Sequence, residues 1–80
     1  MKASVVKAVV AATGLSYIEV RQLVEKPKDA ALGDFAFPCF TLARTFKKNP
    51  VQIAHDLARE IKPTKEIQRV HSVGPYVNFF

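Results

Sequence analysis

Cysteine, histidine and glycine are scarce in these 80 residues, and each scarcity removes a class of chemistry. One cysteine, Cys39, cannot form an internal disulfide, which fits a reducing cytoplasm. Together with His55 and His71 it offers three soft ligands at best, widely separated, where a structural zinc needs about four. No metal is expected. Three glycines, with Gly33 and Gly74 isolated, exclude a glycine-rich loop that cradles phosphates. No apolar run approaches the roughly 18 residues of a spanning helix. Ala3–Ala12 comes nearest to a signal-peptide core, but Lys7 interrupts it and the apolar residues recur with helical period. A soluble, cytoplasmic chain with no membrane partner is expected.

Acidic residues are also in short supply, 7 against 12 lysines and arginines, and the net charge of +5 favours a polyanionic partner such as nucleic acid. Half the residues are hydrophobic (49%), so the chain can bury a core and disorder is not expected. At this length residues 1–80 form one small domain that buries only roughly 60% of its unfolded surface. No repeat, low-complexity segment or linker divides it.

Val5, Val6, Val9 and Val10 recur at helical spacing, and Gly14 supplies the stop, so a first helix spans about residues 2–13. From Tyr17 to Glu25 apolar and polar residues alternate, which predicts a strand ended by Pro27. Residues 30–38 read as a turn feeding a helix, with either Asp34 as the cap or Pro38 as the first helical residue. Cys39, Phe40, Leu42, Ala43 and Phe46 form its apolar stripe, and Arg44, Lys47 and Lys48 its basic end. Asn49-Pro50-Val51-Gln52 is a strong helix start with a capping-box pattern; Ile53, Ala54, Leu57, Ala58 and Ile61 are its buried stripe, and Pro63 its stop. Glu66–Val73 and Tyr76–Phe80 pair as a hairpin across Gly74-Pro75. The order α-β-α-α-β-β predicts a two-layer α+β domain, with helices packed on one face of a small antiparallel sheet.

Nothing in this inventory resembles an active site. Cys39 beside His55 or His71 is the one nucleophilic pairing available, but it lies on an apolar stripe where thiols are inert packing groups. Asp29 and Asp34 sit at turn or cap positions where aspartate is expected on local grounds. A small thiol enzyme built on Cys39 is a rival that native alkylation discriminates. More suggestive is the closing strand, where Tyr76, Asn78 and Phe80 face one way and Val77 and Phe79 the other. A ring that stacks and an amide that both donates and accepts are the equipment of a nucleobase reader. The alternative is a core strand whose aromatics pack and whose Asn serves a turn. Lys26, Lys28, Arg44, Lys47, Lys48, Lys65 and Arg69 are candidate phosphate contacts, provided that the fold gathers them on one side.

Taken together, Leu32-Gly33-Asp34-Phe35-Ala36, the Leu42-Ala43-Arg44 helix, Lys48-Asn49-Pro50 with Ile53-Ala54 and Leu57-Ala58, and Val73-Gly74-Pro75-Tyr76-Val77-Asn78-Phe79 resemble the N-terminal additional domain of arginyl-tRNA synthetases. The resemblance runs from Lys2 to Phe80. It implies an appended two-layer α+β domain that docks on the outer corner of tRNA(Arg) at the D-loop and supports aminoacylation with arginine. It further implies that Tyr76 and Asn78 occupy the positions of the aromatic and the Asn that contact a D-loop nucleotide, and that the segment around Gly33-Asp34-Phe35, read as helical, is structural. The family's closing motif usually reads Gly-Pro-Gly-aromatic, whereas Tyr76 here follows Pro75 directly, which changes the dihedrals open to the turn. ATP and L-arginine belong to the catalytic domain of the same synthetase, whose signature motifs this chain lacks. No cofactor and no catalytic residue are therefore expected in it. The alternative reading is a module that docks on another domain of the enzyme without reading a base, and whose binding is indifferent to salt.

Overall fold

The computed structural model describes residues 2–80. Helix α1 (Lys2–Thr13) buries Val5, Val6 and Val9, and Gly14 ends it at φ 77°, its N–H donating to the Val10 carbonyl at 2.9 Å. The next segment departs from the expected strand. Tyr17–Leu23 is helix α2, because Ser16 caps it: its Oγ accepts the Glu19 N–H at 3.1 Å, in the Ser-x-x-Glu spacing of a helix start. Val20 and Val24, four residues apart, face the core, while Ile18, placed on the same side by the alternation, is 68% exposed.

The expected turn-to-helix at residues 30–38 also differs. A single 3-10 turn, Ala30–Leu32, is capped by Asp29, and strand β1 (Phe35–Pro38) follows. Asp34 caps nothing; its backbone N–H donates to the Phe79 carbonyl at 2.8 Å. Proline keeps Phe37 out of the helical region, so the chain stays extended through Pro38 and turns helical only after Cys39. Helix α3 (Phe40–Phe46) buries Leu42 and rests beside buried Cys39, but Phe40 and Phe46, expected in the apolar stripe, are 47% and 49% exposed. Lys47 closes α3 in the left-handed region, at φ 53°.

Helix α4 (Pro50–Glu60) starts where expected, with the Asn49 side chain accepting the Val51 N–H at 2.8 Å. Gln52 does not complete a capping box; its amide donates to Asp56 instead, at 3.0 Å. Strands β2 (Val70–Val73) and β3 (Tyr76–Phe79) form the expected hairpin, with β2 covering only the second half of Glu66–Val73. Before it, Thr64 Oγ1 accepts the N–H groups of Glu66 and Ile67, and Ile67 is buried.

The sheet is antiparallel in the order β1-β3-β2, with Ala36 and His71 flanking Asn78, and Pro38 and Val73 flanking Tyr76. Phe37, Val77 and Phe79 point from it into one continuous core with Val5, Val9, Val20, Leu42, Ile53 and Leu57. The architecture is therefore α+β, with helices packed against one face of a three-stranded sheet. A second helix replaces the strand expected after α1.

Candidate functional site

Strand alternation decides what the sheet shows outward. Because Val77 and Phe79 fill the core, Tyr76 and Asn78 are turned to the opposite face. The turn before them is fixed at both of its residues. Gly74, at φ 57°, takes the positive dihedral that a two-residue hairpin turn asks of its first central position. The Pro75 carbonyl accepts the Cys39 N–H at 2.9 Å, tying the turn to the start of α3. With Val73 opposite Tyr76, the turn closes in register without the further glycine of the family's usual motif.

The segment between α2 and β1 rises over this outer face and makes a cleft of it. At one end Glu25 and Ala36 exchange backbone hydrogen bonds, at 2.9 and 2.8 Å, adding a single rung beyond β1. At the other end Gly33, at φ 101°, lies so close to β3 that a Cβ would stand 2.6 Å from the Phe79 carbonyl oxygen. Only glycine fits that approach. Between these clamps Lys26, Pro27, Lys28, Asp29 and Leu32 wall a cleft of about 400 Å³ whose remaining lining is Glu25, Ala36, Val73, Tyr76 and Asn78.

Asn78 is 2% exposed, and its Oδ1 has no hydrogen-bond partner. Leaving a buried acceptor unsatisfied costs about 1–3 kcal/mol, so this position is poor for stability, a cost that the fold alone does not explain. Tyr76 stands half-buried at the rim, held by Phe40 in an edge-to-face contact with centroids 5.9 Å apart and planes at 88°.

The candidate cations divide among several places. Lys26 and Lys28 line the Asn78 cleft, alongside the acids Glu25 and Asp29; the Asp29 carboxylate is engaged in accepting the Ala31 N–H at 2.9 Å. Arg69 is on the same outer face, its guanidinium carbon 4.4 Å from the centroid of the Phe80 ring. Arg44 follows Phe40 by four residues within α3, so it shares a helical row with Tyr76's aromatic partner, whereas Lys47 is the left-handed C-cap just past the helix. Lys48 lines a different depression, between the end of α1 and helices α3 and α4, and Lys65 another beside Ser4 and Lys7. The seven cations do not form one patch.

Phe40 was missed as a site residue because its spacing with Ala43 matches a core stripe; the signal that separates it is Arg44, four residues on, on the same helical row. The remaining candidates for chemistry stand apart from the cleft. His55 is exposed on α4. Cys39 is buried, its Sγ directed to the Phe37 carbonyl at 3.9 Å, and burial pushes its thiol up to about 11, leaving no thiolate at neutral pH. Among the described residues no three His, Cys, Asp or Glu side chains converge on a metal-sized site, and no single helix is long and apolar enough to cross a membrane.

A family model described as the arginyl tRNA synthetase N terminal domain matches residues 1–80. Among curated relatives, arginine–tRNA ligase of Clostridioides difficile is 50% identical over 66 residues, covering 82% of this chain and 12% of that protein. The arginine–tRNA ligase of Streptococcus agalactiae is 49% identical over 61 residues, 76% of this chain and 11% of that one. The chain thus spans about an eighth or less of the relatives it matches. The Thermus thermophilus arginyl-tRNA synthetase structure superposes on 99% of this chain and 13% of its own, with a TM-score of 0.77 at 22% identity, which shows the shared fold.

Proposed function

Since the chain belongs to the arginyl-tRNA synthetase N-terminal domain family, we propose that it is the tRNA-binding appended domain of an arginine–tRNA ligase and docks on the D-loop corner of tRNA(Arg). In the cleft, Tyr76 stacks on an unpaired base and the Asn78 amide bonds to its edge. Lys26, Lys28 and Arg69 stand nearest to position the phosphates, with Arg44 extending the track along α3 and Lys47 beyond its end. Lys48 and Lys65 have only peripheral roles. The observation that carries this reading is the buried, unpartnered Oδ1 of Asn78 at the floor of a cleft flanked by an aromatic ring and two lysines.

Catalysis lies elsewhere in the synthetase: ATP and L-arginine bind the catalytic domain, which is this domain's partner within one cytoplasmic enzyme. In a module that pairs its strands with another domain, β1 or β2 would supply the edge, because β3, which carries Tyr76 and Asn78, has neighbours on both sides.

The test is the affinity of the chain for arginine-accepting tRNA. A hydrogen-bonded base contact contributes about 1–3 kcal/mol, so Asn78→Ala weakens cognate binding by roughly tenfold or more and leaves weak binding of an unrelated tRNA unchanged. Cognate affinity equal to that of the unaltered chain would overturn the base-reading role.

A further inference from the structure

The outer face of the sheet continues past Asn78. Reading along the hairpin, Val73 lies opposite Tyr76 and His71 opposite Asn78. Beyond β3, Phe80 and Arg69 exchange backbone hydrogen bonds, at 2.9 and 3.4 Å, adding one more rung. Alternation puts Arg69, His71 and Val73 on the same face as Tyr76, Asn78 and Phe80. The last rung is already assembled for stacking. The Arg69 guanidinium lies over the Phe80 ring, 4.4 Å from its centroid, and the His71 ring meets Phe80 edge-on, centroids 5.9 Å apart at 77°. Arg69 and His71 are exposed, so this arrangement faces solvent rather than closing a core.

We propose that Arg69, stacked on Phe80 beside His71, is a second nucleotide subsite that takes the unpaired base adjacent in sequence to the one held at Asn78. This rests on the base-reading role of Asn78. A guanidinium plane stacked on one side by an aromatic ring presents its other side to a base, and a guanidinium stacks where an ammonium cannot. Its charge suits a nucleotide rather than a neutral or cationic partner. Two residues along a strand span roughly 7 Å, so the platform is one rung from Asn78 and within reach of the neighbouring nucleotide. The outer face thereby reads two consecutive positions of one single-stranded loop, as sheet-borne aromatics do in other RNA-binding folds. Lys26 and Lys28 then border the first position and His71 the junction between the two.

The experiment measures binding of the full chain to arginine-accepting tRNA and to two versions of it, one abasic at the nucleotide 5′ to the recognised D-loop base and one abasic 3′ to it. Arg69→Lys keeps the charge and removes the stacking plane, on an exposed side chain whose loss does not threaten the fold. Arg69→Lys is expected to weaken binding of the intact tRNA about five- to tenfold and to make no further difference on one of the two abasic versions. Asn78→Ala weakens binding of all three. Binding by Arg69→Lys equal to the unaltered chain, or a loss identical on every tRNA, overturns the platform while leaving the Asn78 reading in place. Asn78→Ala binding every tRNA as tightly as the unaltered chain overturns that reading and this proposal with it.

Discussion

Asn78 is the residue at which stability and binding pull apart. Its amide oxygen is buried without a partner, so an apolar side chain of the same branched shape removes a desolvation cost and no internal hydrogen bond. Asn78→Leu is therefore expected to leave unfolding free energy within about 1 kcal/mol of the unaltered chain, or to raise it, while binding falls. Urea denaturation checks this, and a loss above roughly 2 kcal/mol would mean that the amide is structural. Cys39 makes the opposite case, a residue concerned with the fold alone. Its thiol, raised by burial from 9.0 to about 11, holds its proton in the folded state over a pH range where the unfolded chain has released it. That contribution is complete below pH 9 and is lost as pH rises toward 11, amounting to roughly 2–3 kcal/mol. Between those pH values the chain should lose more stability than Cys39→Ala does; equal losses would contradict the assignment. The outward pose of Tyr76 and Asn78 was legible at this scale, since period two in a strand that must bury Val77 and Phe79 leaves no other choice. Whether that face was open or covered was not legible, because its cover comes from residues 26–32 in a distant part of the chain.

At the scale of elements, the two segments that differ from expectation do so for opposite reasons, one local and one long-range. Tyr17–Glu25 alternates apolar and polar residues as a strand does, yet Ser16 and Glu19 are spaced to start a helix, and local hydrogen bonding outweighed the alternation. Phe35–Pro38 is too short for either period to show, and what makes it a strand is its pairing with Tyr76–Phe79, some forty residues later. Long-range pairing of that kind leaves no local mark. By contrast Asn49-Pro50 and Gly14 act through their own backbone geometry, and both boundaries were readable. Helix α2 has seven residues and buries Val20 alone, so its cap matters. Ser16→Ala should destabilise the chain by about 1 kcal/mol in chemical denaturation, and a change below about 0.3 kcal/mol would mean that packing of Val20 and Val24 suffices without the cap.

On the scale of the whole molecule the helices and the sheet's inner face supply the core, and the sheet's outer face, walled by the α2–β1 loop, is left free to bind. Composition indicated a polyanionic partner but not its geometry. Of the seven cations singled out, Lys26, Lys28 and Arg69 are on the cleft's face, while Lys48 and Lys65 line other depressions. A net charge carries no direction, so only the fold could sort them. The central claim, that a D-loop base enters the Asn78 cleft, is tested most directly by following the chain's amide resonances during titration with arginine-accepting tRNA at low salt. The titration is repeated with a tRNA abasic at the D-loop base and with an unrelated tRNA. Shifts centred on Tyr76–Phe79 and Lys26–Leu32 that vanish with the abasic tRNA are the predicted result; diffuse shifts at lysines, equal for all three, would contradict it and leave the closing strand a structural element alone.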